Sequence, residues 1–304
     1  MQLLRFLVSR ISNAVLIALL VPLLSLFFLG RAPGDYLSDL AANPQVSPNT
    51  LAQLRLQYGL DQPLQKKYFS WLSNVAMGDL GFSFVYQRPI RELIAGRVWN
   101  TVLLNGIALG LAWIFGIAIS LAAAEKRGLG WLANVASTLL VSTPTVLLAL
   151  VLLALAIPLG LPVGGIGGLK HLILPVCAVS AVWLPVVIRH ARAALDQALR
   201  EPYITTARAK GVTRTRVLVH HALRNALNPL TALFGLSVSA LLSASLPVEV
   251  IMGWPGIGQL TYDAVLKRDI FLVMDLAMVS ALLLLAGNLL GDLLAYISDA
   301  RLRQ

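Results

Sequence analysis

Six apolar stretches, approximately 9–29, 101–124, 131–157, 171–190, 229–251 and 273–297, constrain this chain more than any other feature of its sequence. A helix rises about 1.5 Å per residue, so about 20 residues cross the hydrocarbon of a bilayer. Lipid offers no partners to backbone N–H and C=O groups. None of the stretches alternates with a period of two, so they read as helices rather than barrel strands. With 58% hydrophobic and 12% charged residues and a mean hydropathy of +0.78, the chain is too apolar for a soluble domain. The sequence therefore predicts an all-α integral membrane protein with six transmembrane helices.

The charge fits the same picture. Lys and Arg total 24 against 14 Asp and Glu, but the basic residues are interleaved with the spans, which argues against a nucleic-acid partner. Lys and Arg in short loops resist translocation. A cytoplasmic N-terminus places Arg5, Arg10, Lys126, Arg127, Arg301 and Arg303 inside, together with Arg189, Arg192, Arg200, Arg208, Lys210, Arg214, Arg216 and Arg224 from the fourth-to-fifth connection. It leaves only Lys170, Lys267 and Arg268 in short outer loops, so both termini are expected to be cytoplasmic. The first apolar run follows Arg5 and Arg10 as in a signal peptide, yet it is longer than an h-region and no small-x-small cleavage site follows it; it reads as a retained span. Cys177 has no partner for an intrachain disulfide and reads as a small buried hydrophobe.

Three regions follow: 1–30, the N-terminus and first span; 31–100, a large external segment; and 101–304, a five-helix core that includes the inward loop 191–228. The external segment is expected to fold. Asn49 or Thr50 can cap a helix ended by Gly59; Pro63 opens a second, in which Leu64, Tyr68, Leu72 and Val75 recur at helical spacing before Gly78 and Gly81. The inward loop is also punctuated. Glu201-Pro202 suits a helix start, Tyr203 to Lys210 form a short helix, and Gly211 fits a left-handed C-terminal cap. Thr213 then caps a second helix through Val217, His220, His221 and Arg224, until Pro229 opens the fifth span. A short helix tied by a tight turn to two spans moves with them as a rigid body. Ile204, Ala207 and Val212 offer apolar contact to a partner's groove, and Arg208 and Lys210 offer charge at its rim. The other reading is a basic surface held to anionic lipid.

The run Tyr203-Ile204-Thr205-Thr206-Ala207-Arg208-Ala209-Lys210-Gly211, followed by His221-Ala222-Leu223-Arg224-Asn225-Ala226-Leu227-Asn228-Pro229, resembles the coupling loop of ABC-importer permeases of the dipeptide and oligopeptide class. Pro33-Gly34-Asp35, Gly59-Leu60-Asp61-Gln62-Pro63-Leu64, Gly78-Asp79-Leu80-Gly81, Trp254-Pro255-Gly256-Ile257-Gly258 and Arg268-Asp269 match in order, so the resemblance covers nearly the whole chain. It is similar to the first permease of the pair, the one with the large external segment. The resemblance implies a bacterial inner-membrane location, a second homologous permease, two cytoplasmic ATP-binding subunits that carry ATP and Mg, and an extracytoplasmic solute-binding protein. It assigns ATPase coupling to Tyr203 through Val212. One departure is Thr205-Thr206-Ala207, where the general importer motif has Glu-Ala-Ala. Docking is accordingly expected to rest on shape and basic residues.

No Gly is followed directly by Lys, so the chain lacks a Walker A loop; Gly164-Gly165-Ile166-Gly167-Gly168 falls in an outer loop. Intramembrane-protease motifs are absent, and His171, His190, His220 and His221 fall on opposite sides and make no metal set. The chain is therefore expected to be non-catalytic, with no metal or cofactor of its own. An ion-coupled secondary transporter is the alternative, but charges avoid span centres apart from Asp292, near the inner end of the sixth span. In the fifth span Thr231, Gly235, Ser239 and Ser243 recur every four residues and form either a translocation path or a packing seam. Glu249 with Pro255, Gly256 and Gly258 is either an external gate or a buried turn between the last two spans. Pro144 and Pro185 can bend the third and fourth spans.

Overall fold

The computed structural model of the chain describes residues 2–31, 37, 41, 47–57, 59, 61–165 and 168–298. Pro33-Gly34-Asp35, Arg301 and Arg303 lie outside these residues. In chain order the elements are α1 (Gln2–Leu29), α2 (Pro48–Gln57), α3 (Leu64–Ala76), β1 (Phe82–Ser83), β2 (Arg88–Pro89), α4 (Ile90–Glu125), α5 (Arg127–Ser142), α6 (Thr145–Ala156), α7 (Leu169–Ala198), α8 (Pro202–Ala209), α9 (Arg214–Arg216), a π-helical turn (Val217–Ala222), α10 (Leu223–Ile251), α11 (Ile257–Leu266) and α12 (Ile270–Ser298). Among the described residues the architecture is all-α apart from the short antiparallel pair β1–β2, in which Phe82 faces Pro89 and Ser83 faces Arg88.

Helices α1, α4, α7 and α12 each carry a segment long and apolar enough to cross a membrane. The other two expected spans are bent. Residues 131–157, expected as one helix, are α5 and α6, whose axes turn by 108° at Thr143-Pro144. Pro144 brings no N–H and forces the residue before it out of the α region, and Thr143 is indeed extended, at φ −90° and ψ 123°. The fifth span bends by 46° between Pro229–Val238 and Ser243–Ile251. Pro229, expected to open that span, lies inside α10, and Pro175 and Pro185 lie inside an unbroken α7. Large apolar side chains stand exposed along α1 (Ile11, Leu16, Phe28), α5 (Trp131, Leu139) and α6 (Leu147, Leu155), a surface suited to lipid and not to water. Cys177, expected to be buried, is exposed on α7.

The chain divides into two compact units, Met1–Asn100 with Gly256–Leu283 and Thr101–Pro255 with Leu284–Gln304. In the first, α3 turns Tyr68 and Trp71 into a cluster with Leu26 of α1 and Met274 of α12, and Leu64, Leu72 and Val75 pack against it. The Tyr68 hydroxyl donates to the Leu19 carbonyl at 2.9 Å, close to the turn where Pro22 supplies no N–H to the helix ladder. The cap of α2 is Ser47, whose Oγ accepts from the Thr50 N–H at 3.1 Å, and not Asn49 or Thr50. Pro48 takes the first helical position, where its missing N–H costs nothing.

Between the last two spans the sequence points to an external gate or a buried turn and not to a helix; the structure forms α11 there. It closes on Arg268, a non-glycine residue at φ 55°, with Arg268 N–H donating to the Val265 carbonyl at 3.1 Å and Asp269 N–H to the Ala264 carbonyl at 2.9 Å. Asp269 then caps α12. Its Oδ1 accepts from the Leu272 N–H at 3.3 Å, and its Oδ2 accepts from the Ser83 hydroxyl at 2.6 Å and the Val85 N–H at 3.4 Å. Burial lifts the Asp269 pKa above the usual carboxylate value, against the pull of these hydrogen bonds. One residue thus ends α11, starts α12 and holds the β1–β2 hairpin.

In the second unit α10 runs along α7 and α6, and α5 packs on α7. Small residues set the closest approaches: a Cβ on Gly235 of α10 would lie 2.6 Å from the Gly291 Cα of α12. Adding a methyl there forces two backbones apart. Gly235→Ala is expected to destabilise the chain by about 1–3 kcal/mol, whereas Gly106→Ala on α4, with open space around it, is not. Thermal unfolding of the purified variants in one detergent checks this, and equal melting temperatures would contradict the seam.

Candidate functional site

An eight-residue helix is too short to be stable on its own in water. Helix α8 is held by its two ends and one buried face. At its start Glu201 is extended and Pro202 occupies the first turn. At its end Gly211 sits at φ +78°; its N–H donates to the Arg208 carbonyl at 2.9 Å, and the Val212 N–H donates to the Ala207 carbonyl at 3.2 Å. This paired closure satisfies two carbonyls that the helix itself leaves open. No side chain lies near the Gly211 Cα, so what demands glycine is the left-handed backbone and not crowding.

Ile204 (1% exposed) and Ala207 (8%) point into the chain, joining Leu195 and Ala198 of α7 and Val217, Ala222 and Ala226 of the following helix. Tyr203 and Val212 are half-buried against the same cluster. This corrects the sequence reading, which offered Ile204, Ala207 and Val212 to a partner: the inward face anchors the helix. Thr205, Thr206, Arg208, Ala209, Lys210 and Gly211 are exposed and form its outer face. That face is basic, with Arg200, Arg214 and Arg216 exposed nearby.

The return path is fastened as well. Thr213 is extended before α9 but makes no side-chain cap, in contrast to the expectation. Arg214 instead donates to the Ala124 carbonyl at 2.9 Å, and the Thr215 hydroxyl donates to Glu125 Oε1 at 2.9 Å. A cation thereby meets the last turn of α4, where open carbonyls favour it. The chain then takes the wider π-helical turn, where a plain α-helix was expected; Val217, Leu218 and Ala222 are buried there, His220 is exposed and His221 half-buried. Arg192 of α7 donates to the Gly130 carbonyl at 2.7 Å and to Asn134 Oδ1 at 2.6 Å on α5. The segment after the turn is thus tied to α4, and α7, on which α8 packs, is tied to α5.

The fifth-span stripe does not present one face. Gly235 is in the seam with Gly291, Thr231 is half-buried and Ser243 is exposed; the Ser239 side chain lies outside the described residues. Glu249 is fully buried, accepting from the Thr101 hydroxyl at 2.8 Å and from Ser245 at 3.4 Å, while Asn105 donates to Ser245 at 3.1 Å. This hydroxyl-rich cluster joins α4 to α10, and Thr101 and Asn105 were missed in the sequence because they sit singly in an apolar run. Pro255, Gly256 and Gly258 are buried as well, in the turn that leads into α11.

Gly211→Val is expected to cost about 1–2 kcal/mol locally through its left-handed backbone, and Gly211→Asn less. Hydrogen exchange at the amides of Gly211 and Val212 should accelerate in that order, and unchanged protection in the Val variant would contradict the closure.

Residues 102–304 match the family described as "Binding-protein-dependent transport system inner membrane component", and residues 3–105 match "Binding-prot-dependent transport system membrane comp, N-term". The chain is 33% identical to the oligopeptide transport system permease protein AppB of Bacillus subtilis (strain 168), over 98% of each chain. It is 36% identical to the glutathione transport system permease protein GsiC of Salmonella choleraesuis (strain SC-B67), over 96% of each. A solved structure of the MetNI methionine ABC transporter, in inward-facing conformations, shares the fold with a TM-score of 0.51 at 19% identity, covering 67% of this chain and 97% of that one. These relatives set aside the ion-coupled carrier. The chain belongs to the binding-protein-dependent transport system inner membrane components, as a multi-pass permease subunit of an ATP-binding-cassette importer.

Proposed function

We propose that this permease pairs with a second, homologous permease to form the passage for peptides or similar small solutes, and that α8 is the lever through which ATP hydrolysis in two partner subunits drives it. The cargo class rests on AppB and GsiC, whose names specify oligopeptide and glutathione transport. ATP and Mg belong to the cytoplasmic partners, and an extracytoplasmic solute-binding protein delivers the cargo. The excess of Lys and Arg in the α7–α10 connection supports a cytoplasmic location for α8 and for both termini.

The observation that carries this reading is the division of α8 into an anchored face and a presented one. Ile204 and Ala207 hold the helix to its own spans, so a push on Thr205, Thr206, Arg208, Ala209 and Lys210 is passed to α7 and α10 instead of being absorbed by a loop. Arg208 and Lys210 suit an acidic rim on the ATP-binding subunit. Closure of the two ATPases on ATP draws the paired levers together and opens the passage outward; hydrolysis resets it inward. Of the fifth-span stripe, Thr231, Ser239 and Ser243 remain path candidates. Glu249 on the one hand, and Pro255, Gly256 and Gly258 on the other, are retained as candidate residues of an external gate.

Arg208→Glu should weaken co-purification of the ATP-binding subunits by about three- to ten-fold, the effect of reversing one rim charge, with the permease still correctly inserted. Ile204→Ala should instead lower the stability of the permease by about 2–5 kcal/mol. Full partner recovery with Arg208→Glu would count against docking on this face.

A further inference from the structure

Helix α3 belongs to the segment 31–100, yet its anchors lie inside the spans. At its start, a Cβ on Gly30, just past the end of α1, would lie 3.0 Å from the Leu64 Cδ2. One turn on, the Tyr68 hydroxyl donates to the Leu19 carbonyl at 2.9 Å. Leu19 is at the middle of the apolar segment Arg10–Leu29, ten residues from its end, which is about 15 Å at the rise of a helix. The hydrocarbon is about 30 Å thick, so that carbonyl stands near the bilayer midplane. A tyrosine side chain is shorter than this depth, so the α3 backbone at Tyr68 is itself sunk below the end of α1. Trp71 repeats the pattern on α12. Its indole N–H donates at 2.8 Å to Asp275, five residues inside the apolar segment Ile270–Leu293. Beyond the far end of α3 the chain regains the surface, because the hairpin that follows is held by Asp269, just ahead of that segment. The side chains of α3 are sorted to match. Lys66, Ser70 and Ser73 are exposed on the side away from Tyr68 and Trp71. Along one edge only, at i, i+3, i+7 spacing, Phe69 is 67% exposed, Leu72 half-buried and Ala76 exposed.

We infer that α3 is an interfacial helix, sunk into the leaflet that the second half of α1 crosses, with its Phe69–Ala76 edge against lipid acyl chains and Lys66 at the level of the phosphates. The lipid surface of α1 continues onto it. Leu20, Leu24 and Phe28 stand exposed on that same half of α1, so the hydrocarbon that covers them reaches the helix packed beside it. An amphipathic helix in such a position buries its apolar side about 5–10 Å into the boundary between headgroups and chains, in keeping with the depth that Tyr68 and Trp71 impose. Lys66, exposed one turn before Phe69, runs its stem along the helix and keeps its ammonium among the phosphates. Ser70 and Asn74, on the other edge, border a cavity of about 340 Å³ together with Gln62 and Asp79, a polar side that faces water. The occupant of the Phe69 edge is lipid and not a soluble partner, since neither a solute nor a solute-binding protein reaches below the headgroups. On the reading that places the segment 31–100 outside, this leaflet is the outer one; the depth itself rests on α1 and α12 alone.

The test uses the assembled importer, with Cys177→Ala in this chain, in vesicles of phosphatidylcholine and phosphatidylglycerol. Nitroxide labels are placed by Phe69→Cys and, one residue on but on the other edge, by Ser70→Cys, both at exposed positions. Relaxation by oxygen, which concentrates in hydrocarbon, is compared with relaxation by chromium oxalate, which stays in water. Oxygen is expected to collide with the Phe69 label several-fold more often than the chelate does, and the order is expected to reverse at Ser70. Ala76→Cys, exposed on the same edge as Phe69, should repeat the Phe69 result and gives a second variant should Phe69→Cys misfold. Labels at Phe69 and Ala76 that the chelate reaches more readily than oxygen overturn the inference. So do labels shielded from both reagents, since a protein surface, such as that of the second permease, then covers this edge. Sidedness is read separately, with a membrane-impermeant maleimide on Ser70→Cys in sealed vesicles of known orientation. Labelling from the cytoplasmic face alone sinks the external assignment of the segment 31–100, whereas a water-exposed Phe69 sinks the immersed helix.

Discussion

The closure of α8 at Gly211 is the interaction on which the rest of this account depends. Two backbone hydrogen bonds, from Gly211 to Arg208 and from Val212 to Ala207, end the helix within a single residue and turn the chain toward α9. Without that turn the eight residues would be a loop, and force applied to a loop is lost in its own conformational freedom. With it, Ile204 and Ala207 are held in the same cluster as residues of α7 and α10, so the exposed face is backed directly by the spans.

The same closure recurs along the chain. Every helix leaves its last carbonyls without intrahelical partners, and a left-handed residue just past the end lets the following N–H groups satisfy them. Gly78 closes α3 in this way and Gly253 closes α10, with Trp254 N–H donating to the Glu249 carbonyl at 2.9 Å. Arg268 does the same for α11 without being glycine, and the strain of a left-handed arginine is borne by the Asp269 network that follows it. Prolines have the complementary effect. Pro144 breaks a span outright, whereas Pro175 and Pro185 are carried inside α7, because what decides the outcome is packing around the missing hydrogen bond and not the residue alone.

Much of this was legible in the sequence, and the exceptions have physical causes. Span length and hydropathy depend on composition, so the membrane helices could be read directly. Gly211, Gly59 and Gly78 mark left-handed turns that few other residues adopt, so the ends of α8, α2 and α3 could be placed as well. Arg268 carries no such mark, and α11 went unseen with it. The inward orientation of Ile204 and Ala207 was misassigned because an amphipathic face announces that it will be covered but not by what. Ser47 was passed over in favour of its neighbours Asn49 and Thr50, all three being competent caps. The Glu249 cluster draws on Thr101 and Asn105, over 140 residues away in sequence, and no local pattern reports such a meeting.

The most direct measurement is site-specific cross-linking from the outer face of α8. In a chain with Cys177→Ala, a cysteine introduced by Ala209→Cys is treated with a short bifunctional reagent in inside-out membrane vesicles that contain the assembled complex. The account predicts a cross-link to the ATP-binding subunit that changes in yield between nucleotide-free and ATP-bound states. A cysteine that is labelled only from the external side of sealed right-side-out vesicles, or that never reaches a nucleotide-binding partner, would contradict it.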